Sequence, residues 1–172
     1  MGEFASEDAA FIGKLVEAGV PLNVIYDIGA SNGYWSIIAA KPISNGTYHL
    51  FEPQADSPAY SEKLDKNLRE LGDATLHKIA LSDKNETVEM TIADDSFSSS
   101  LHDVCGQPGY RSKRPVQCRR LDDYVAEKNL PPPSLVKMDT QGTEHLIVSG
   151  GKKTLASAHL LIIESWFYRG YN

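Results

Sequence analysis

Two acidic residues and a glycine-rich turn between them are the first groups in this chain whose types and spacing could do chemistry. Asp27 closes the apolar run Asn23-Val-Ile-Tyr-Asp27 and leads into Gly29-Ala-Ser-Asn-Gly33, directly ahead of a helical stretch, Tyr34 to Ala40. Glycines there accept positive φ and let the backbone approach a ligand in front of a helix N-terminus. Glu52 closes a second apolar run, Thr47 to Glu52, some 25 residues after Asp27. An acid at that distance can accept hydrogen bonds from both hydroxyls of a ribose. The pair points to a nucleoside-containing cofactor; a solvated acid beside a structural turn is the bland alternative.

The elements that must position these groups follow from period and punctuation. A helix is expected from about Ser6 to Ala18, with Phe11, Ile12, Leu15 and Val16 on one face and Gly19 ending it. Ser57 as N-cap, Pro58 at the first helical position, the seam Tyr60, Leu64, Leu68 and Leu71, and Gly72 as stop predict a second long helix. Strands are expected at Thr75 to Leu81, Thr87 to Ile92, Val116 to Arg120, Leu135 to Asp139 and His159 to Glu164. Short helices should run from Asp122 to Lys128 and from Thr143 to Ser149, the latter closed by Gly150-Gly151. Residues 93–115 show no period and are too many for an idle connector, which predicts a loop at the active site. Strands separated by helices give an α/β fold, a central, mostly parallel sheet flanked by helices, with ligands at the carboxyl ends of its strands. The expected layout is one domain over 1–172: an N-terminal helical segment over 1–22, then a cofactor-binding core over 23–164.

Several blocks together resemble a known family. Asp27-Ile-Gly-Ala-Ser-Asn-Gly-Tyr-Trp-Ser36, Phe51-Glu-Pro53, Ala80-Leu-Ser-Asp83, Ser98-Ser-Ser-Leu101, Leu121-Asp-Asp-Tyr124 and Val136-Lys-Met-Asp-Thr-Gln-Gly-Thr-Glu144 resemble, in order and spacing, the FkbM family of S-adenosylmethionine-dependent methyltransferases. The first two blocks are shared by many methyltransferases; the run from Asp139 to Glu144, with the earlier Ser-Ser-Leu, is the more specific. The resemblance implies a Rossmann-like class I methyltransferase domain that methylates a hydroxyl of a sugar, polyketide or similar small molecule. It implies that Asp27, Gly29, Ala30, Ser31, Asn32 and Gly33 line the methionine half of S-adenosylmethionine, that Glu52 holds the ribose, and that Pro53 and Gln54 lie beside the adenosine. Asp139 would face the methionine amino group or the reacting centre. Gln141 and Thr143 stand where many relatives have Glu and Ala.

Displacement at a methyl carbon already activated by positive sulfur leaves the protein mainly the work of positioning. A base is needed only for a poor nucleophile such as a sugar hydroxyl, and Asp139, Glu144, His145 and Glu164 are the catalytic candidates. Glu144 could equally favour the positive end of its helix, and His145 could be an ordinary helix residue. Ser98 and Ser99 either contact the cofactor or shape a loop. The basic stretch Tyr110-Arg-Ser-Lys-Arg114, with Arg119 and Arg120, is a solvated surface or a loop that selects an anionic acceptor. Asp94-Asp95 and Asp122-Asp123 could bind a divalent ion, but such pairs are more often solvated or capping groups, so no metal ligand is assigned.

Composition narrows the rivals. Lys+Arg 17 against Asp+Glu 23 gives a formal net charge of -6, which disfavours nucleic acid as partner. No apolar run approaches a membrane span and no secretory signal is visible, so a cytoplasmic protein with reduced Cys105 and Cys118 is expected. Tyr124-x-x-x-Lys128 offers a rival, a nicotinamide-dependent short-chain dehydrogenase. The second rival is a truncated or non-catalytic cofactor-binding domain. A class I fold normally continues past the fifth parallel strand, and an edge left open there would invite a homo-oligomer.

Overall fold

A computed structural model describes residues 2–58, 60–93, 99, 101 and 110–164. Five strands, β1 (Val24–Ile28), β2 (Thr47–Phe51), β3 (Ala74–His77), β7 (Leu135–Met138) and β8 (Leu160–Ile163), form a parallel sheet in the order β3-β2-β1-β7-β8. A smaller sheet, β4-β6-β5, is built from β4 (Ala80–Ser82), β5 (Glu86–Ala93) and β6 (Tyr110–Arg120). The helices are α1 (Gly2–Glu17), α2 (Tyr34–Ala40), α3 (Ser61–Leu71), α4 (Leu121–Lys128), α5 (Glu144–Gly150) and α6 (Lys152–Leu155). This is the expected Rossmann-like arrangement, an α/β domain with helices flanking a parallel sheet.

The central strands are apolar throughout because both faces are covered. On one face Ile25, Leu50 and Leu135 pack with Ile12, Ala39 and Leu64; on the other Tyr26, Ile28, Phe51, Val136 and Met138 pack with Leu121, Tyr124 and Ile147. Each fully buried aliphatic side chain contributes about 1.5–3 kcal/mol. In α1 the inward stripe is Ala5, Ile12, Leu15 and Val16, whereas Phe11 is 50% exposed, one residue off that stripe. The helix ends as Gly19 leads one to expect: at φ +83 its N–H donates to Val16 O while Val20 N–H donates to Leu15 O.

The first helix starts earlier than expected, at Gly2, and four further boundaries differ, each for a local reason. The helix expected from Ser57 begins at Ser61; Ser57 O instead accepts the amides of Tyr60 and Ser61 in a turn that buries Tyr60. The strand expected over Thr75 to Leu81 is two strands in different sheets, divided where Ile79 N–H turns back to His77 O. The chain expected to be loop up to Pro115 is already strand from Tyr110, paired antiparallel with β5 through Val88↔Val116 and Met90↔Arg114. Its exposed, charged face hid that strand. The turn at Gly150-Gly151 leads into α6, and a Cβ on Gly150 would lie 2.2 Å from Ser82 O, so glycine is what lets α5 approach β4. Much of the predicted 93–115 loop, Ser98, Asp94-Asp95 and Cys105 included, lies outside the described residues. Cys118 is a buried free thiol that burial pushes up to about 11. Among the described residues no helix is long and apolar enough to cross a membrane.

Candidate active site

Register places the chemistry. Ile28 stands beside Phe51 on one side and Met138 on the other, and Met138 beside Ile163. The next residue of each strand therefore emerges in one row: Glu52, Gly29, Asp139 and Glu164. Backbone hydrogen bonds carry the row past the ladder, from Gly29 to Phe51 O (3.0 Å), Asp139 to Ile28 O (3.0 Å) and Glu164 to Met138 O (2.9 Å). Gly29, at φ +75, is obligatory because a Cβ there would lie 2.0 Å from Asp139 O. Gly33, at φ +74, turns the chain into α2.

Above this row lies a cavity of about 610 Å³ lined by Gly29, Ala30, Ser31, Asn32, Glu52, Pro53, Gln54, Ser99, Asp139 and Glu164, among others. Asp27 and Gly33 are not on its wall but directly support it. Glu52 is buried, and its two carboxylate oxygens accept the N–H groups of Ser31 and Gln54, both at 2.8 Å. Burial raises its pKa, against the pull of those amides. The β5–β6 hairpin supplies Met90 to the wall and is tied down by Arg114, whose guanidinium donates to Pro53 O at 2.9 Å. That bond engages a cation of the basic stretch with the protein itself.

The reactive end is a chain of charges. Lys137 is buried between two acids, its Nζ 3.2 Å from Asp27 Oδ1 and 3.6 Å from Asp139 Oδ2, and it donates to Gly29 O at 3.0 Å. Ser36 Oγ donates to Asp27 Oδ2 at 2.7 Å. Burial works against the ammonium, but Asp27 and Asp139 outweigh it and hold Lys137 above the ordinary lysine value. Asp139 is pushed up by burial, yet Lys137 together with hydrogen bonds from Glu164 and Gln141 holds it below the usual carboxylate range. Glu164 goes the other way: burial, then the hydrogen bond to Asp139 and its charge, push it up to about 8. Neighbouring carboxyls are thus split into one ionised and one protonated at neutral pH.

Glu144 and His145 stand apart. Glu144 Oε1 accepts Thr140 N–H (2.7 Å), Thr140 Oγ1–H (3.0 Å) and Gly142 N–H (3.3 Å), fixing the loop after β7, and it does not line the cavity. His145 is exposed on α5. Tyr124, the tyrosine of the dehydrogenase reading, is buried under the sheet 3.1 Å from His77 Nδ1 and is likewise off the cavity wall. Asp122 caps α6 by accepting the amides of Lys153 and Thr154. Sequence reasoning passed over Lys137, although a lysine inside the apolar strand Leu-Val-Lys-Met must find a buried counter-charge. It also passed over Asp8 of α1, a wall residue whose Oδ2 accepts the Trp35 indole N–H at 2.8 Å.

The fold and this row of strand-end acids around a glycine turn define a Rossmann-like methyltransferase domain. Residues 27–171 match the Methyltransferase FkbM domain, and the chain belongs to that family. It is also 28% identical over 157 residues to the 2-O-methyltransferase NoeI of Sinorhizobium fredii (strain NBRC 101917 / NGR234), an alignment covering 84% of this chain. The chain spans 63% of the length of that curated relative. No solved structure matches it.

Proposed function

We propose that this methyltransferase uses S-adenosylmethionine to methylate a hydroxyl group of a small molecule. Supporting the reading most directly is Glu52, a buried carboxylate on the cavity wall, oriented at both oxygens by backbone amides and keeping lone pairs for two ribose hydroxyls. The residues fit the cofactor in a second respect: Ser31 Oγ is buried without a hydrogen-bond partner in the turn that would meet it. Gly29, Ala30, Ser31 and Asn32 would hold the methionine half, Glu52 the ribose, and Pro53, Gln54 and Ser99 the adenosine. When bound, the cofactor supplies a methyl carbon already activated by positive sulfur. Lys137 keeps Asp139 ionised and fixed beside the turn. Glu164, once deprotonated, accepts the hydroxyl proton of the acceptor. The relative's designation as a 2-O-methyltransferase supports oxygen as the methylated atom.

Calorimetric titration with S-adenosylmethionine and S-adenosylhomocysteine tests this. Binding in the micromolar range is expected, weakened by about 1–3 kcal/mol in Glu52→Ala, the scale of a lost charged hydrogen bond. A folded chain that binds neither ligand overturns the cofactor assignment.

A further inference from the structure

Gln141 joins the two carboxyls that face the cavity. Its backbone holds φ +56, a left-handed conformation that side chains other than glycine rarely adopt. In that pose its Nε2 donates to Asp139 Oδ1 at 2.8 Å and to Glu164 Oε2 at 3.0 Å. Beyond Asp139 stand Lys137 and Asp27, so Asp27, Lys137, Asp139 and a protonated Glu164 sum to one negative charge, and ionised Glu164 makes it two. Among the described residues, the other charged groups that bear on Glu164 are placed: Glu144 is engaged by the amides of Thr140 and Gly142, while Asp8 and Glu52 lie elsewhere on the cavity wall.

A sulfonium cofactor and its thioether product differ by one positive charge at the sulfur, and little else separates them. The geometry points to the Asp139–Gln141–Glu164 cluster as the element that distinguishes cofactor from product by charge, Glu164 adding a negative charge that attracts the sulfonium but not the neutral thioether sulfur. This rests on the cofactor reading above. Partial burial, then the hydrogen bond to Asp139, push Glu164 up to about 8, so the discrimination varies with pH around neutrality. Binding of the sulfonium and loss of the Glu164 proton favour each other; the thioether sulfur of the product has no such linkage, and what the amino group contributes is common to both ligands.

The test is calorimetry with S-adenosylmethionine and S-adenosylhomocysteine between about pH 6.5 and 9, on the full chain and on Glu164→Gln. Both ligands carry an amino group that titrates in this range, with α-amino values near about 8, so the variant supplies the baseline. The preference for cofactor over product is expected to rise about tenfold with pH in the parent beyond any change in Glu164→Gln. Buffers of different ionisation heat should reveal proton release when the parent binds the cofactor, but less when it binds the product. Gln141→Met, which removes the bridging amide and keeps both carboxyls, should move the midpoint of the pH dependence. Equal pH dependence in parent and Glu164→Gln overturns the proposal while leaving the cofactor reading intact. Failure of both ligands to bind at every pH overturns that reading and the proposal with it.

Discussion

Two buried polar chains cross this domain, and they meet the problem of desolvation in opposite ways. One runs Ser36–Asp27–Lys137–Asp139–Gln141–Glu164 along the carboxyl ends of β1, β7 and β8 and opens onto the cavity. The other runs His49–His77–Tyr124, with 3.1 Å between His49 Nδ1 and His77 Nε2 and again between His77 Nδ1 and the Tyr124 hydroxyl. It lies within the apolar layer between the sheet and α4, stacked on Phe51 at a centroid distance of 4.6 Å. The histidines give up charge: burial lowers both, His77 to about 4. The strand-end chain keeps its charge and opposes it with counter-charge. Retaining ions where burial penalises them is costly unless they are paired, and perturbed acids beside a cavity are where proton chemistry is found.

The sharpest way to break the comparison is to remove the cation. Lys137→Met leaves Asp27 and Asp139 facing each other without compensation and should cost roughly 3–5 kcal/mol in urea denaturation. Asp27→Asn added to it should recover part of that loss, because the orphaned charge disappears as well. A cost below about 1 kcal/mol for Lys137→Met would mean that the pairing holds nothing together. Next in size is Glu164→Gln. In the parent with cofactor bound, kcat/KM for a hydroxyl acceptor should climb with pH as Glu164 loses its proton, with a midpoint below the value of about 8 that the ligand-free chain gives it. The variant should be about a hundredfold slower and lack that rise. An unaltered pH profile would move proton acceptance to another group.

Only one side of this contrast was visible in the residues, and that side in part. The row of Glu52, Gly29, Asp139 and Glu164 was legible because Glu52, Asp139 and Glu164 each end an apolar run and Gly29 opens the turn after another, and parallel pairing forces such ends abreast. The second sheet was not. Arg111, Lys113, Arg114 and Pro115 interrupt the alternation that marks a strand, and β6 holds them only because β5 pairs along it. The partition between Glu144 and Glu164 was equally hidden, since both sit near strand ends and only the three-dimensional course of the 140–143 loop turns one back onto its own amides. The histidine chain gave no signal at all: His49 and His77 are 28 residues apart, and only the β2–β3 register makes them neighbours.

That neutral chain yields the smallest effects and the cleanest signs. Tyr124→Phe removes one hydroxyl from His77 and should cost about 1 kcal/mol in thermal denaturation, with ligand binding intact. The acid response follows from the imidazoles. Above pH 6.5 His77 is neutral both folded and unfolded, so it adds no pH dependence; below that the unfolded chain takes up a proton that the folded chain refuses until about pH 4. Its stabilising contribution is therefore complete above 6.5 and is lost as pH falls from 6.5 through 4. His77→Phe keeps the stacking with Phe51 and removes the titrating group, so the variant should start lower but lose less stability between pH 6.5 and 5, before most carboxylates respond. If the parent and His77→Phe lose stability in parallel over that interval, His77 is charged in the fold, and the two chains differ in place but not in how they handle burial.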